Sequence, residues 1–413
     1  MGTIINSKTN KIEDGWESCL LNEVGFFSKG KGIKKDEAKD VGLPCIRYGE
    51  IYTDYKEVAF ETFSFVDPKV AKESKQIKTG DILFAGSGET AEEIGKTVVY
   101  MGSKAAYAGG DTVILTPYKD DPVFLGYLLN TKSVAFQKAQ VAQGDAVVHI
   151  YPSQLGKISI TKPKSKEEQI AIGASLSDID KLIIGLRKLI IKKKNITTGV
   201  MAELLTGKKR LPGRTSKWVK KNLCDIGYFQ AGNGFPVKYQ GDKDGRYPFF
   251  KVSDMNNLGN EIYMASSNNY ISEKTRKKIG AKILPKHSIL FAKIGAAIFL
   301  ERKKITISES CVDNNMMGFI VDKDLGNYKF IHFLLLTVEL GKLVSASALP
   351  ALNGTDLGKM SFLLPDAEEQ AEIAVKIDDF YTEINILNAK LNKLLSFKQG
   401  VMQQLLTGKI RLK

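Results

Sequence analysis

The chain has 413 residues, of which 43% are hydrophobic, 26% charged and 9% aromatic. This composition is typical of globular protein with room for two or three domains, and it excludes a disordered or fibrous chain. Sixty Lys and Arg residues against 46 Asp and Glu residues leave a formal net charge of +14, which attracts polyanions, so nucleic acid is the first partner to consider.

The cysteines and the apolar stretches indicate in which cellular compartment the protein is expected. Four cysteines far apart in the sequence give no metal-binding spacing and argue against a disulfide framework. The N-terminus lacks the apolar region of a signal peptide, and the longest apolar stretch, residues 330–340, is too short and too interrupted to span a bilayer. We therefore expect a cytoplasmic protein with no membrane segment.

The sequence contains an internal two-fold repeat. Residues 155–163 match 357–365, and residues 167–208 match 368–409. Six positions near the start of each half also match at a constant offset: Trp16, Leu21, Gly25, Phe27, Gly30 and Gly32 against Trp218, Leu223, Gly227, Phe229, Gly232 and Gly234. Between these blocks the halves diverge, so each half is one variable segment followed by one repeated tail, and two copies are too few for a solenoid.

The first variable segment, residues 1–165, has short β-type runs, glycine-rich turns and helix-like stretches, which predict a mixed α/β (α+β) module. The turn Gly30-Lys31-Gly32 is either a plain turn or a phosphate cradle. Basic side chains in the loops suit DNA phosphates and guanine edges, and they are the candidate DNA-binding residues of this segment: Lys29, Lys31, Lys34, Lys35 and Arg47.

Residues 166–207 form the first tail, where apolar residues alternate at spacings of four and three. This pattern predicts a helix of about 40 residues with one coiled-coil stripe. Ser165 and Glu168 are placed as N-cap and capping-box acid, and Gly207 lies where a glycine ends a helix. The stripe, which we call the helix seam, consists of Ile172, Leu176, Ile179, Ile183, Leu186 and Ile190.

The second variable segment, residues 208–366, has the same mixed α/β character and the matching turn Gly232-Asn233-Gly234. Amide side chains add the ability to bind adenine edges. Its candidate DNA-binding residues are Asn233, Lys238, Lys243, Arg246, Lys251, Lys293 and Arg302.

The second tail, residues 367–413, repeats the helix signals with Asp366, Glu369 and Gly408. A long helix with one apolar stripe must bury it, and the matching stripe is the other tail. We expect two long antiparallel coiled-coil helices, related by a pseudo-two-fold axis, that separate the two modules; the alternative is that each helix packs only on its own module. The seam here consists of Ile373, Ile377, Phe380, Ile384, Leu387 and Leu391.

The sequence offers no catalytic residues. It has three isolated histidines, His149, His287 and His332, no metal-binding triad and no Asn-Pro-Pro-Tyr-like motif for amino-methyl transfer. We predict no metal and no cofactor. A duplicated basic protein without a reaction centre is expected to present two recognition surfaces.

These features together resemble the specificity subunit of type I restriction-modification systems. The resemblance rests on the Glu-Glu-Gln helix starts at Glu167 and Glu368, the Leu-Leu-Thr-Gly-Lys helix ends at Leu204 and Leu405, and the two opening tryptophans with their Gly-x-Gly turns. It covers essentially the whole chain.

The resemblance implies two target-recognition domains that each bind one half of a bipartite, asymmetric site in double-stranded DNA. It also implies that the helices dock two modification (methyltransferase) subunits, with restriction subunits joining through the complex, and that catalysis belongs to those partners. The alternatives are a basic two-domain adaptor that binds RNA or unspecific DNA, and an enzyme whose motifs are not recognisable.

Overall fold

The computed structural model describes residues 13–144, 147–344 and 349–412. The chain forms two compact units. Unit 1 comprises the residues up to Lys188 together with the stretch from Ala389 onward, and unit 2 comprises Leu189–Asn388. Each unit thus contains one variable segment and parts of both tails.

The strands of the first half are β1 Trp16–Leu20, β2 Gly25–Lys29, β3 Leu43–Ile46, β4 Val58–Ala59, β5 Ser64–Val66, β6 Lys75–Ile77, β7 Ile82–Ala85, β8 Ser87–Gly88, β9 Thr97–Tyr100, β10 Ala106–Ala108, β11 Thr112–Pro117, β12 Val148–His149 and β13 Ser159–Pro163. Its helices are α1 Leu21–Val24, α2 Tyr48–Thr53, α3 Pro68–Glu73, α4 Pro122–Leu128, α5 Lys132–Val141, α6 Pro152–Leu155 and α7 Lys166–Leu204, with a 3-10 helix at Lys35–Glu37.

The strands of the second half are β14 Val219–Asn222, β15 Gly227–Ala231, β16 Tyr247–Phe250, β17 Tyr263–Met264, β18 Tyr270–Ile271, β19 Ile289–Ala292, β20 Lys303–Thr306, β21 Cys311–Val312, β22 Met316–Val321 and β23 Ser361–Leu364. Its α-helices are α8 Glu273–Lys278, α9 Tyr328–Leu336, α10 Gly354–Gly358 and α11 Ala367–Leu405. The 3-10 helices are Leu223–Asp225, Val237–Tyr239, Val252–Asn256, Ala296–Leu300 and Leu340–Leu343.

Both units are built on a five-stranded sheet with one strand order. The order is β2-β11-β7-β9-β4 in unit 1 and β15-β22-β19-β20-β17 in unit 2. Each unit also contains a smaller sheet, with the strand order β5-β3-β10-β6 in unit 1 and β18-β16-β21 in unit 2. The predicted duplicated α/β modules are therefore confirmed. The duplication extends through the stretch where the two sequences diverge, because β7 and β19, whose apolar residues are fully buried, take the same central place in the two sheets.

The strand register brings one set of loops together in each unit. In unit 1 Lys29 pairs with Val113, and Thr112 pairs with Ala85, so β2 and β7 end where β11 begins. Unit 2 repeats this register with β15, β19 and β22. We call the resulting edge the loop end; it consists of residues 30–42, 86–96, 109–111 and 147–151 in unit 1, and of residues 232–246, 293–302, 313–315 and 349–353 in unit 2.

Helices α7 and α11 run antiparallel within each unit. In unit 1 Ile172 and Leu176, from the start of α7, share a core with Leu405, from the end of α11. In unit 2 Ile373, from the start of α11, shares a core with Leu204, from the end of α7. These cores also include residues of the sheets, so the helices pack on each other and on their own module at once.

The helix seam lies inward along both helices. Seven of its positions are buried, namely Ile172, Leu176, Ile183, Ile190, Ile373, Ile377 and Ile384. The remaining five are half-buried, namely Ile179, Leu186, Phe380, Leu387 and Leu391. Among the residues that the structure describes, we find no helix that combines the length and the apolar character needed to cross a membrane.

The predicted helix starts are confirmed in part. Ser165 Oγ accepts the amide of Glu168 at 3.2 Å, and Asp366 Oδ1 accepts the amide of Glu369 at 2.9 Å, as N-caps do. The two glutamates do not act as capping-box acids; their carboxylates instead bind arginines that are far away in the sequence.

Candidate nucleic-acid interface

A Gly-x-Gly turn follows β2 in unit 1 and β15 in unit 2, at the loop end. A Cβ atom at Gly30 would lie 2.0 Å from the carbonyl oxygen of Gly109, and one at Gly232 would lie 1.9 Å from that of Asp313. Only glycine allows so close an approach of two backbones. Packing thus explains the first glycine of each turn.

Two amides of each turn are bound to backbone carbonyls within the protein. Gly30 N donates to the carbonyl of Thr112 at 2.9 Å, and Lys31 N donates to that of Ala108 at 3.1 Å. The matching pair of amides in unit 2 is bound in the same way. These two amides are therefore not free to bind phosphate, which favours a plain turn over a phosphate cradle.

The basic residues of unit 1 cluster on and beside the first of these loops. Lys31, Lys34 and Lys35 are exposed on residues 30–42, and within the described chain their ammonium groups enter no ion pair. Lys29, at the end of β2, holds its Nζ 4.8 Å from the ring centre of Tyr151. Four of the five candidates are thus accessible side chains at one edge of the sheet.

Arg47 differs because its guanidinium is already engaged. It is half-buried, and its Nη2 and Nε donate to Glu50 Oε1 at 2.6 and 2.8 Å. Ser64 Oγ donates to the same oxygen at 2.5 Å. The structure places Arg47 just before α2, and its Nη1 donates a long hydrogen bond, 3.5 Å, to the carbonyl of Lys35.

In unit 2 the position equivalent to Arg47 is Lys251. Arg47 follows β3, which pairs in parallel with β10, and Lys251 follows β16, which pairs in parallel with β21. β10 and β21 each lead into a tight turn, and Arg47 and Lys251 each precede a helical turn. Lys251 Nζ donates to Gln240 Oε1 at 2.9 Å. Arg246 lies at the opposite end of β16, with its guanidinium 5.0 Å from the ring of Tyr247.

The other candidates of unit 2 all lie on loop-end segments. Asn233 uses its side-chain oxygen to accept the amide of Lys282 at 2.9 Å, and Lys243 Nζ donates to the carbonyl of Asn268 at 3.1 Å. Lys238, Lys293 and Arg302 complete the set, and Lys238 Nζ lies 5.2 Å from the ring of Tyr239.

Four lysines are buried among the described residues, Lys138, Lys162, Lys303 and Lys304, and sequence analysis identified none of them. Lys138 on α5 is 1% exposed, and its Nζ donates to the carbonyls of Gly95 and Leu129 at 2.5 and 3.0 Å. Burial lowers its pKa to about 7. Lys303, the first residue of β20, donates to Glu301 Oε2 at 2.7 Å and to the carbonyl of Val338 at 2.8 Å.

Two arginines tie the ends of the long helices to distant helix starts. Arg411 donates through Nε and Nη2 to both carboxylate oxygens of Glu168 in unit 1, and Arg210 does the same to Glu369 in unit 2. Trp218 Nε1 also donates to Glu369, at 3.2 Å. Sequence analysis did not identify these arginines, although the repeated Leu-Leu-Thr-Gly-Lys motif that precedes each of them could have drawn attention to them.

The three histidines lie in separate structural contacts. His149 Nδ1 lies 2.8 Å from Ser87 Oγ, and His287 stacks on a tyrosine with ring centres 4.0 Å apart. His332 Nε2 lies 2.9 Å from the carbonyl of Lys303, and burial lowers its pKa to about 4. Among the described residues no group of three or more His, Cys, Asp or Glu side chains is arranged to hold a metal ion.

Both long helices also carry exposed apolar side chains outside the seam. In unit 1 these include Leu182 and Ile184 of α7 and Phe397 of α11. In unit 2 they include Ile191 of α7 and Ile386 of α11. Such side chains on a helix surface suit contact with another protein.

Comparison with known proteins assigns both halves to one family. The family model described as type I restriction modification DNA specificity domain matches residues 13–194 and again residues 215–396.

Curated relatives match over almost their full length. The type I restriction enzyme MjaVIII specificity subunit of Methanocaldococcus jannaschii is 25% identical over 98% of this chain and 95% of its own. The StySPI specificity subunit of Salmonella potsdam is 22% identical over 97% and 89%, and the EcoKI specificity subunit of Escherichia coli is 23% identical over 97% and 89%.

A solved structure shares the fold. The S subunit of a type I restriction-modification system from M. genitalium superposes with a TM-score of 0.59 at 15% identity, covering 96% of this chain and 97% of that one.

Proposed function

This chain belongs to the type I restriction-modification DNA specificity family, and we propose that it is the sequence-specific DNA-binding subunit of a type I restriction-modification complex. Each unit binds one half of a bipartite, asymmetric site in double-stranded DNA through its loop end. The observation that carries the proposal is the repetition of one sheet and one loop end in both units with different side chains on the loops.

The proposed division of labour follows from the chemistry of the loop ends. Exposed lysines bind phosphates, which gives affinity and position, whereas sequence preference comes from contacts to base edges. Because the two loop ends carry different side chains, they select different half-sites.

Two modification subunits dock on the exposed apolar faces of α7 and α11, and restriction subunits join through the assembled complex. Methyl transfer and cleavage belong to those partners, and this chain has no catalytic role. A cytoplasmic location is part of the proposal, because the DNA and the partner subunits of such a system are there.

The decisive test is a module exchange in the complex with its modification subunits. Residues 16–157 are replaced by the equivalent block of a relative, and preferred sites are selected from a random DNA library. We expect one half-site to change and the other to stay.

A change in both half-sites would contradict independent binding by the two units. Equal affinity for all sequences, with a uniform loss on raising salt, would instead favour an unspecific nucleic-acid adaptor.

A further inference from the structure

The loop between β19 and β20 carries two neighbouring apolar side chains that face solvent. In the 3-10 helix Ala296–Leu300, Ile298 is buried, whereas Phe299 and Leu300 are 54% and 55% exposed. Leu343, on the adjoining 3-10 helix, is 47% exposed. This loop belongs to the loop end of unit 2.

The apolar pair is held by a network beneath it. The Glu301 carboxylate accepts the amides of Leu340 and Gly341 at 2.9 and 2.7 Å, and it accepts Lys303 Nζ at 2.7 Å. A Cβ at Gly341 would lie 2.7 Å from Cδ1 of Phe299, so the ring packs against the backbone of Gly341. These contacts hold the backbone next to the apolar pair.

Positive charge flanks the pair on both sides in the sequence. Lys293 begins the loop and Arg302 ends it, while the single carboxylate between them, Glu301, is bound by Lys303. An apolar spot between cations matches the major groove of DNA, where phosphates flank the one apolar group on base edges, the C5-methyl of thymine.

We propose that Phe299 and Leu300 form an apolar tip that contacts thymine methyl groups in the half-site bound by unit 2. The proposal deepens the proposed function and rests on it. The equivalent loop of unit 1, residues 86–96, instead exposes Glu89, Glu92 and Glu93, so that loop has no such tip.

Replacing thymine by uracil tests the contact, because it removes only the methyl group and leaves the hydrogen-bonding edge intact. After site selection with the complex, each thymine of both half-sites is replaced in turn and affinity is measured at fixed salt. For the wild-type chain we expect at least one replacement in the second half-site to weaken binding about four-fold, the amount that burial of one methyl-sized group contributes.

The double variant Phe299→Ala, Leu300→Ala is expected to bind the thymine and uracil sites equally. Leu300→Ala alone, at an exposed position, repeats the test with a smaller change. Leu363→Ala is the matched control, because Leu363 is similarly exposed on β23, outside the loop end, and it should retain the four-fold discrimination.

Unchanged discrimination in the double variant, or a second half-site without a methyl-dependent thymine, overturns the tip while leaving the proposed function intact. Loss of the modification subunit from the purified double variant, with unchanged discrimination, would make the patch a protein contact and also overturns the proposal. A wild-type complex that selects no sequence would overturn both.

Discussion

The two units place a buried ammonium group beside the same part of the sheet, but they do so with different residues. In unit 1 Lys138 reaches the start of β9 from α5 and binds carbonyl and hydroxyl oxygens only. In unit 2 Lys303 belongs to the strand itself and binds the carboxylate of Glu301. The fold thus fixes a place that accepts a cation, because backbone carbonyls converge there, while the sequence decides whether its charge is neutralised.

This difference extends to the neighbouring loop. Glu301 binds Lys303 and the amides of the 3-10 helix Leu340–Leu343, so in unit 2 the buried cation helps to hold the loop end. In unit 1 the acids of the corresponding loop point outward. Both copies therefore link a buried lysine to this loop, through the carboxylate of Glu301 in unit 2 and through the backbone carbonyl of Gly95 in unit 1.

The largest expected effect is that of Glu301→Ala. This change leaves the Lys303 ammonium buried without its carboxylate, and we expect unit 2 to lose about 3 kcal/mol of unfolding free energy. The chain has two tryptophans, Trp16 in unit 1 and Trp218 in unit 2, so denaturant unfolding of a Trp16→Phe background reports unit 2. Glu89→Ala, in the corresponding loop of unit 1, is the control and should be neutral.

Lys138 should make unit 1 sensitive to pH. Burial lowers its pKa to about 7 from an ordinary value of 10.5, so between these values the unfolded chain binds a proton that the folded chain does not. The stability of unit 1 should therefore rise with pH above about 7, by at most about 1.4 kcal/mol per pH unit.

Unfolding at pH 7 and pH 9 in a Trp218→Phe background measures this rise, and adding Lys138→Met should reduce it. The same slope in the Lys138→Met protein would contradict the assignment to this lysine.

Removing the arginines at the ends of the long helices should destabilise the two units to different extents, and this effect should be smaller than those above. Arg411→Ala deprives Glu168 of both its guanidinium donors, whereas after Arg210→Ala Glu369 keeps the indole of Trp218. We expect both changes to lower the unfolding midpoint of their own unit, with the larger loss for Arg411→Ala. Each variant is studied in a background that keeps only the tryptophan of its own unit, which is Trp16 for Arg411→Ala and Trp218 for Arg210→Ala. Equal losses would mean that the indole contributes nothing to holding the carboxylate.

The smallest effect concerns DNA binding by the exposed lysines. Replacing Lys31, Lys34 and Lys35 by alanine should weaken binding without changing the selected sequence, and the slope of log affinity against log salt should fall by about 0.9 for each phosphate that the chain no longer neutralises. Lys359→Ala, at a residue paired with Asp356 outside the loop end, is the control. A changed half-site would show that these lysines contact bases.

The sequence predicts those parts of the fold that have a local signature. The four-three spacing specifies both long helices, and the repeat specifies two modules. The strand order has no local signature, because pairs such as β3 with β10 join segments that are far apart in the chain. The ion pair of Arg47 with Glu50, three residues apart, is a local feature that the sequence can show. Its burial is not, because it depends on Ser64 and on the sheet beneath the pair.

The candidate site could be located only at the level of loops. Lysines in loops are easy to recognise, and the structure places them at one edge of each sheet. The burial of Lys138 leaves no trace in the sequence, since a lysine in a helix normally faces water. The exposure of Phe299 and Leu300 is equally hidden, because an apolar pair is usually part of a core.

The discontinuity of unit 1 has a consequence for the order in which the chain folds during synthesis. Unit 2 is one continuous stretch, whereas unit 1 needs residues from Ala389 onward, which the ribosome makes after all of unit 2. The first module to emerge is therefore the last to be completed, contrary to the usual N-terminal-first order. Until α11 is finished, Ile172 and Leu176 lack Leu405 and its neighbours, so the nascent first module exposes the side of this apolar stripe that α11 later covers.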